Sequence, residues 1–281
     1  MSRTRLFVLT LIAMTAFAGN SLLCRLALKD TSIDAASFTS IRILSGALVL
    51  WLIVRLRGGA SGVAGSWWSA LALFLYAGGF SFAYISLPAG TGALLLFGAV
   101  QVTMIGYGLW AGERPRLQQA AGFVFAFGGL VSLLLPGLSS PSLHGSALML
   151  GAGMAWGVYS LRGAASSDAT GATAGNFLRA VPFAGALSVA MLPWVSLDST
   201  GVYYAIASGA LTSGLGYAIW YTVLKALTTS SAATVQLSVP VIAAVGGIAF
   251  LDEQISARLL ISSTAILGGI ALVIFDKRHA K

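Results

Sequence analysis

The amino-acid sequence predicts an all-α integral membrane protein whose ten transmembrane helices form two inverted five-helix repeats. Its composition, the spacing of its apolar stretches and an internal duplication support this prediction. Of the 281 residues, 57% are hydrophobic and only 9% are charged, whereas about 25% of the residues in soluble domains are charged. A soluble fold of this composition would lack polar residues to cover its surface, so we expect the chain to be embedded in lipid.

Ten apolar stretches follow one another, each close to the roughly 20 residues that a helix needs to cross a bilayer. Short links with Gly, Ser, Pro or charged residues separate them. The first half, residues 1–137, contains the predicted spans Leu6–Leu28, Ala35–Leu56, Trp67–Leu87, Thr91–Ala111 and Leu117–Leu135. The second half, residues 138–281, contains His144–Ala164, Phe177–Leu197, Thr200–Leu227, Ala232–Leu251 and Ala257–Phe275. No link is long enough to form a soluble domain.

The first apolar stretch has an alternative interpretation. Arg3 and Arg5 precede an apolar run that reaches Ala18, which is the pattern of a cleavable signal peptide. Apolar residues resume and continue to Leu28, which gives the length of a full span and favours a transmembrane helix. Cys24 is the only cysteine, so a disulfide within the chain is excluded.

Basic residues concentrate at one side of the predicted spans. With a cytoplasmic N-terminus, eleven basic residues lie inside, and only Arg25, Lys29 and Arg258 lie outside. This asymmetry follows the positive-inside rule, so we predict cytoplasmic termini for a multi-pass protein of the bacterial inner membrane. Anionic lipid headgroups then account for the net charge of +8 without nucleic acid as a partner.

The second half of the chain repeats features of the first. Glu113 and Glu253 stand in the links before the fifth and tenth spans, and they are 140 residues apart, as are Gly128 and Gly268. Because each half has an odd number of spans, the second half must insert upside down relative to the first. Inverted repeats are typical of secondary transporters, whose substrate site lies near the midplane between the halves.

These features resemble the drug/metabolite transporter superfamily and its EamA-type ten-helix carriers, with the bacterial aromatic amino-acid exporters as the nearest subgroup. The resemblance covers essentially the whole chain. It implies a central cavity lined by spans one, three, four, six, eight and nine, with spans five and ten at the periphery. The sequence departs from the family pattern at Val100, where the first half lacks the proline that the second half has as Pro240.

Three amide side chains within spans, Asn20, Gln101 and Gln236, are candidates for substrate contacts. Amides in hydrocarbon are costly unless they form hydrogen bonds, so they face a cavity or another helix. Their donors and acceptors suit the ammonium and carboxylate groups of an amino acid. The alternative is that they only join helices to one another.

Aromatic side chains cluster in spans three, six and eight. Tyr76, Phe80 and Tyr84 share one helix face because they recur every four residues. Such rings could stack on an aromatic substrate, whereas core packing or lipid contact is their alternative role. The complete predicted substrate-binding set is Gln101, Trp156, Tyr84, Asn20, Tyr159, Phe80, Gln236 and Tyr221.

Charged groups within spans are few. Arg42 and Arg179 could each pair with a carboxylate, but an arginine in a span more often snorkels to the interface or bonds carbonyls of a neighbouring helix, which is the interpretation we favour. All eight acidic residues fall in links or at span ends, so no carboxylate in a span is available as a proton relay. Facilitated export down the substrate gradient fits this distribution.

The sequence therefore predicts a carrier that exports amino acids, with aromatic and other neutral ones favoured, by alternating access. Export of another small metabolite or drug is the first alternative, and a membrane enzyme or assembly factor is a distant one. We expect no enzymatic activity, catalytic residue, cofactor or metal site, because the sequence has no catalytic constellation and no metal-ligand cluster. The expected partners are a small-molecule substrate and the lipid bilayer, and a homodimer stays open.

Overall fold

The computed structural model describes residues 1–57, 64–112, 117–135, 140–163, 168–227 and 235–276, with side chains described as far as residue 272. All regular secondary structure within these ranges is helical. The first five helices are α1 (Arg3–Asp30), α2 (Ala35–Leu56), α3 (Trp67–Tyr84), α4 (Ala89–Trp110) and α5 (Leu117–Leu134). They are followed by α6 (Leu143–Gly163), α7 (Ala169–Ala190), α8 (Ser199–Ala207, the π-helical segment Ser208–Leu215, and Gly216–Leu224), α9 (Ser238–Leu251) and α10 (Ala257–Asp276).

The apolar character of these helices agrees with a multi-pass membrane protein. By length and composition, α1, α2, α4 and α5 are each long and apolar enough to cross a bilayer. Large hydrophobic side chains also cover much of the outer surface, where Val124 is 73% exposed and Phe127 is 64% exposed. Such surfaces are rare on soluble monomers but suit contact with lipid tails.

The predicted seventh span, Phe177–Leu197, is wrong in position because α7 covers Ala169–Ala190. The Asp168 side chain accepts a hydrogen bond from Gly171 N and starts the helix eight residues early, within a stretch of small and polar residues. The chain leaves the helix after Ala190 and forms a short 3₁₀ turn, Leu192–Trp194. A hydropathy pattern weights apolar residues and misses a helix start that a carboxylate cap provides.

Described acidic residues lie at helix ends or in links, as the sequence predicts. Asp34, Asp168 and Asp198 are N-caps, and each side chain accepts backbone N–H groups of the first helical turn. Burial disfavours the charged form of the Asp34 carboxylate, but hydrogen bonds from Ser37, Ser196 and Ala36 outweigh that effect and lower its pKa. Glu113 lies outside the described residues.

The helices pack in a pattern that relates the two halves. In the first half, α1 packs against α8 and α9, and α2 packs against α7 and α8; in the second, α6 packs against α3 and α4, and α7 packs against α2 and α3. Exchanging α1–α5 with α6–α10 reproduces each of these principal contacts. The same exchange turns the α4–α9 contact and the α5–α10 contact into themselves. The α5–α10 pair packs chiefly on itself, at the edge of the bundle.

Helices α1, α3 and α9 end at the same side of the bundle. Arg25 near the end of α1 bonds the carbonyl of Tyr84 at the end of α3, and Lys29 bonds the carbonyl of Leu251 at the end of α9. We call this end of the bundle the Glu253 end, because Glu253 lies just after α9. The opposite end is the Arg162 end, named after Arg162 near the end of α6. Since α1 is 28 residues long, about 42 Å at 1.5 Å per residue, the N-terminus lies at the Arg162 end.

Candidate functional site

A small cavity lies in the middle of the bundle, between helices of the two halves. Its volume is about 20 Å³, which is room for roughly one water molecule. Helices α1, α3 and α4 line it from the first half, and α6 and α8 line it from the second. Its lining residues are Phe17, Asn20, Ser21, Tyr76, Phe80, Leu96, Phe97, Trp156, Thr212 and Tyr217. A space of this size must widen to admit a solute.

Trp156 is the centre of the aromatic wall. The centroid of its ring system lies 4.8 Å from that of Tyr76 and 5.1 Å from that of Tyr217. On its other side Tyr159 stacks on it, with centroids 5.3 Å apart. These rings come from α3, α6 and α8, so the wall joins both halves. Aromatic faces at such separations interact favourably with one another and with a planar ligand.

Asn20 is held in place by three hydrogen bonds that cross between helices. Its amide nitrogen donates to the Tyr76 hydroxyl at 3.2 Å. Its amide oxygen accepts from Ser208 Oγ at 2.7 Å and from Thr212 Oγ1 at 3.2 Å. Asn20 therefore lines the cavity and joins α1 to α3 and α8 at the same time.

Arg42, on α2, is fully inside the protein, with 2% of its surface exposed. Its Nη2 donates to the Tyr76 hydroxyl at 3.0 Å and its Nε donates to Ser213 Oγ at 3.3 Å. The guanidinium carbon lies 4.9 Å from the ring centroid of Phe80. Its Nη1 is buried and has no partner among the described residues. Arg42 therefore bonds neighbouring helices, as the favoured interpretation had it, but through hydroxyl groups instead of carbonyls, and it does not snorkel.

The π-helical segment Ser208–Leu215 of α8 presents the polar partners of both buried groups. Ser208 and Thr212 bond Asn20, and Ser213 bonds Arg42. π-Helical turns occur mostly as short insertions within α-helices and frequently at functional sites. The sequence analysis missed this irregular segment, and it also missed the lining residues Phe17, Ser21, Leu96, Phe97 and Thr212.

Several residues of the predicted set surround the lining. Phe80 lines the cavity, and Tyr84 packs edge-on against it with centroids 4.7 Å apart. The Tyr84 hydroxyl donates to the carbonyl of Ala89 at 3.2 Å, so it is used within the fold. Tyr159 is buried behind Trp156, and its hydroxyl lies 3.4 Å from Thr173 Oγ1.

The structure does not bring the other predicted residues to the cavity wall. Gln101 is buried in α4 but is not among the lining residues. Gln236 is half-buried in the helical turn before α9, and Tyr221 is half-buried in α8. Of the six spans that the resemblance implied, one, three, four, six and eight line the cavity, and α9 contributes no lining residue.

Polar contacts close the bundle at the Glu253 end. Arg25 Nε lies 3.3 Å from Glu253 Oε1, the one ion pair within the described ranges. The second carboxylate oxygen of Glu253 accepts the backbone N–H of Ala89 at 2.8 Å. Arg25 Nη1 also donates to the carbonyl of Tyr84 at 2.8 Å. We refer to these four residues as the Glu253 cluster; it ties together α1, α3, α4 and the link after α9.

Polar contacts also join described helices at the Arg162 end. Arg162 Nε donates to Ser69 Oγ at 3.0 Å, and Asn176 Oδ1 accepts the backbone N–H of Ser66 at 2.9 Å. Arg179 donates to the carbonyl of Ala64 at 3.1 Å, which is the structural role favoured for it from the sequence. Polar contacts therefore join described helices at both ends of the bundle, on either side of a small cavity.

The fold and the site define a multi-pass membrane protein with a small central cavity between its first five and last five helices. Residues 143–275 match the model of the EamA-like transporter family. An uncharacterized Pseudomonas aeruginosa protein is 55% identical over 271 residues, which span 96% of this chain and 94% of that protein. An uncharacterized transporter of Archaeoglobus fulgidus is 27% identical over 290 residues, which span 96% of this chain and 97% of that one.

One solved crystal structure superposes on this chain with a TM-score of 0.67 and 17% sequence identity. The match covers 99% of this chain and 100% of the chain in that structure. At that identity the likeness shows the fold alone. The family match and the relatives show that the chain belongs to the EamA-like transporter family, as its sequence features predict. It is accordingly a membrane transporter of small solutes.

Proposed function

We propose that this protein exports amino acids, with aromatic and other neutral ones favoured, by alternating access. The aromatic wall around Trp156 is the observation that carries the proposal. It lies between the two halves, where carriers built from repeats bind their substrates. A planar side chain could take the place of one ring contact in this wall when the cavity widens.

The proposal includes two inverted repeats, residues 1–137 and 138–281. The exchange pattern of helix contacts supports it, because α1 meets α8 and α9 as α6 meets α3 and α4. Two similar halves can exchange conformations, which supplies two states of similar energy that open to opposite sides. The α5–α10 pair stays outside this exchange and would serve as a peripheral support or as a contact surface in a homodimer.

We place both termini and the Arg162 end in the cytoplasm of the bacterial inner membrane, on the strength of the basic residues. The Glu253 end then faces outward. Export requires the Glu253 cluster to open while the Arg162 end stays closed. The Arg25–Glu253 ion pair and the Glu253 bond to Ala89 N are the contacts that must break.

Transport is proposed to run as facilitated export. Ion-coupled carriers commonly use a carboxylate within the membrane as a relay. Among the described residues, the carboxylates are at helix ends or in links, for example as the caps Asp34 and Asp198. The substrate gradient itself would then drive export.

A second candidate is export of a different small aromatic metabolite. Asn20 favours it, because its amide oxygen already accepts two hydrogen bonds from α8 and so has little left for a substrate ammonium group. Both candidates share the aromatic wall, and a substrate panel separates them.

Counterflow in liposomes tests the proposal. Liposomes that contain the purified protein would be loaded with unlabelled L-phenylalanine, and their uptake of labelled L-phenylalanine, L-leucine and L-alanine would be measured. Trp156→Ala should reduce phenylalanine counterflow more than alanine counterflow, by about 0.5–1.5 kcal/mol beyond the lost contact area. Trp68→Ala is the matched control, since Trp68 is 72% exposed at the start of α3. Counterflow of no amino acid by the wild type would reject the proposal.

A further inference from the structure

We propose that Arg42 and Tyr76 form the subsite for a negatively charged group of the substrate, and that the substrate class is small aromatic carboxylates. The inference rests on the proposed function only in using the same central cavity. It adds that the negative charge is required, whereas the ammonium group is not.

The environment of Arg42 carries the argument. A guanidinium stays charged at every physiological pH, and a charge in a membrane interior is costly unless an opposite charge compensates it. The described partners of Arg42 are neutral hydroxyls and aromatic rings, and the ion pair within the described ranges belongs to Arg25. The charge of Arg42 is therefore left for a ligand to balance.

Donor geometry points to the same ligand. Arg42 has a buried Nη1, which is a donor with no partner among the described residues. The Tyr76 hydroxyl accepts from both Arg42 and Asn20, which fills the two acceptor positions of its oxygen. Tyr76 therefore holds the guanidinium in place, and the unpaired Nη1 of Arg42 is the donor left for a ligand. An unpaired charged donor suits an oxyanion.

The position of Tyr76 connects this subsite to the aromatic wall. Its ring lines the cavity and lies 4.8 Å from Trp156, while its hydroxyl contacts the Arg42 guanidinium at 3.0 Å. A ligand whose ring packs against Trp156 would hold its charged group beside Tyr76 and Arg42. The match is with a molecule that has an aromatic ring and an acidic group a few bonds apart.

A single charge selects a carboxylate over a more highly charged anion. Within the described part of the site, Arg42 is the cation that bonds a lining residue. A monoanion would neutralise it, whereas a dianionic phosphate would leave an uncompensated buried charge. The stacking of Arg42 on Phe80, 4.9 Å from its centroid, fixes the guanidinium in one orientation and favours a planar group.

Competition in the liposome assay tests this inference. The probes are L-phenylalanine, 3-phenylpropanoate, which lacks the ammonium group, and 2-phenylethylamine, which lacks the carboxylate. We expect the first two to compete for labelled L-phenylalanine and the amine to compete at least tenfold more weakly. Equal competition by 2-phenylethylamine in the wild type would overturn the inference without any variant.

Variants of Arg42 give the second readout. Arg42→Gln should weaken competition by the carboxylates about ten- to a hundredfold, as expected for loss of hydrogen bonds to a charged group, and should leave the amine unaffected. Arg42→Lys should keep the preference for carboxylates. The matched control is Arg55→Gln, because Arg55 is exposed near the end of the same helix, α2. An Arg42→Gln protein that keeps the wild-type preference would contradict the inference.

The outcomes separate this inference from the proposed function. Competition by 3-phenylpropanoate without amino-acid transport would reject the amino-acid proposal and keep the anion subsite. Amino-acid transport that ignores Arg42→Gln would do the reverse. Thermal unfolding of Arg42→Gln adds a check: a purely structural arginine predicts lower stability and unchanged carboxylate preference, whereas the subsite predicts unchanged or higher stability, since an uncompensated buried charge is removed.

Discussion

Replacing Glu253 with Gln should open the bundle at the Glu253 end. The substitution removes the ion pair between Arg25 and Glu253, whose closest atoms are 3.3 Å apart. The side chain of Arg25 is 14% exposed and that of Glu253 is 12% exposed. It also replaces the charged acceptor of the Ala89 N–H, 2.8 Å away, with a neutral one. The cluster lies between a surface ion pair, worth about 0–1 kcal/mol, and a fully buried one, so we expect a loss of about 1.5–3 kcal/mol, the value for hydrogen bonds to charged groups.

That loss should increase the population open at this end by roughly ten- to a hundredfold. The assay uses the substitution Leu96→Cys, because Leu96 lines the cavity. The free cysteine Cys24 is replaced in the same protein by Cys24→Ser. A membrane-impermeant thiol reagent applied from the outer side should modify this cysteine faster when Glu253→Gln is present. Asp252→Asn is the matched control, because the neighbouring Asp252 is exposed and its left-handed backbone, with φ of 51°, suits Asn. Equal modification rates in both variants would refute the role of the cluster as a closure.

Further predictions concern packing, capping and coupling. Gly209→Ala should lower the thermal stability, because a Cβ at Gly209 would overlap the carbonyl of Arg42 and Ser45 Oγ, whereas Gly185→Ala, with open space around it, should not. Asp34→Ala should cost about 0.5–2 kcal/mol of stability at pH 7. The folded state lowers the pKa of Asp34, so the stabilisation by its carboxylate is present above about pH 4 and is lost as the pH falls through the folded-state pKa. The stabilities of the wild type and the variant should therefore converge in acid unfolding. Counterflow should persist when ionophores collapse proton and sodium gradients, and its loss would require a coupling group not yet identified.

Much of the fold follows from apolar length and from the duplication. Helices α2 and α5 begin at the residues predicted from the sequence, because Asp34 and the link before Leu117 mark those starts. The error at α7 arises because its first turns, from Ala169 to Asn176, are small or polar and buried against other helices. Hydropathy measures the tendency to enter lipid, and it does not report a helix that is covered by protein.

The site could be predicted only in part. The four-residue spacing of Tyr76, Phe80 and Tyr84 correctly placed these rings on one face, and all three are buried. Spacing alone did not show that the Tyr84 hydroxyl would donate a hydrogen bond to the carbonyl of Ala89, nor that Arg42 would point inward. The direction of a long side chain depends on the neighbouring helices, and here Ser213 is supplied by a π-helical segment that no local sequence pattern specified.

Accessibility of the cavity to both sides of the membrane tests the central claim most directly. With Leu96→Cys in the Cys24→Ser background, impermeant reagents would be applied separately to the cytoplasmic and outer faces of oriented vesicles. Alternating access predicts modification from each side and slower modification from both when L-phenylalanine is saturating. Modification from one side only, or rates that L-phenylalanine does not change, would contradict a central cavity that binds this substrate and opens in turn to each side.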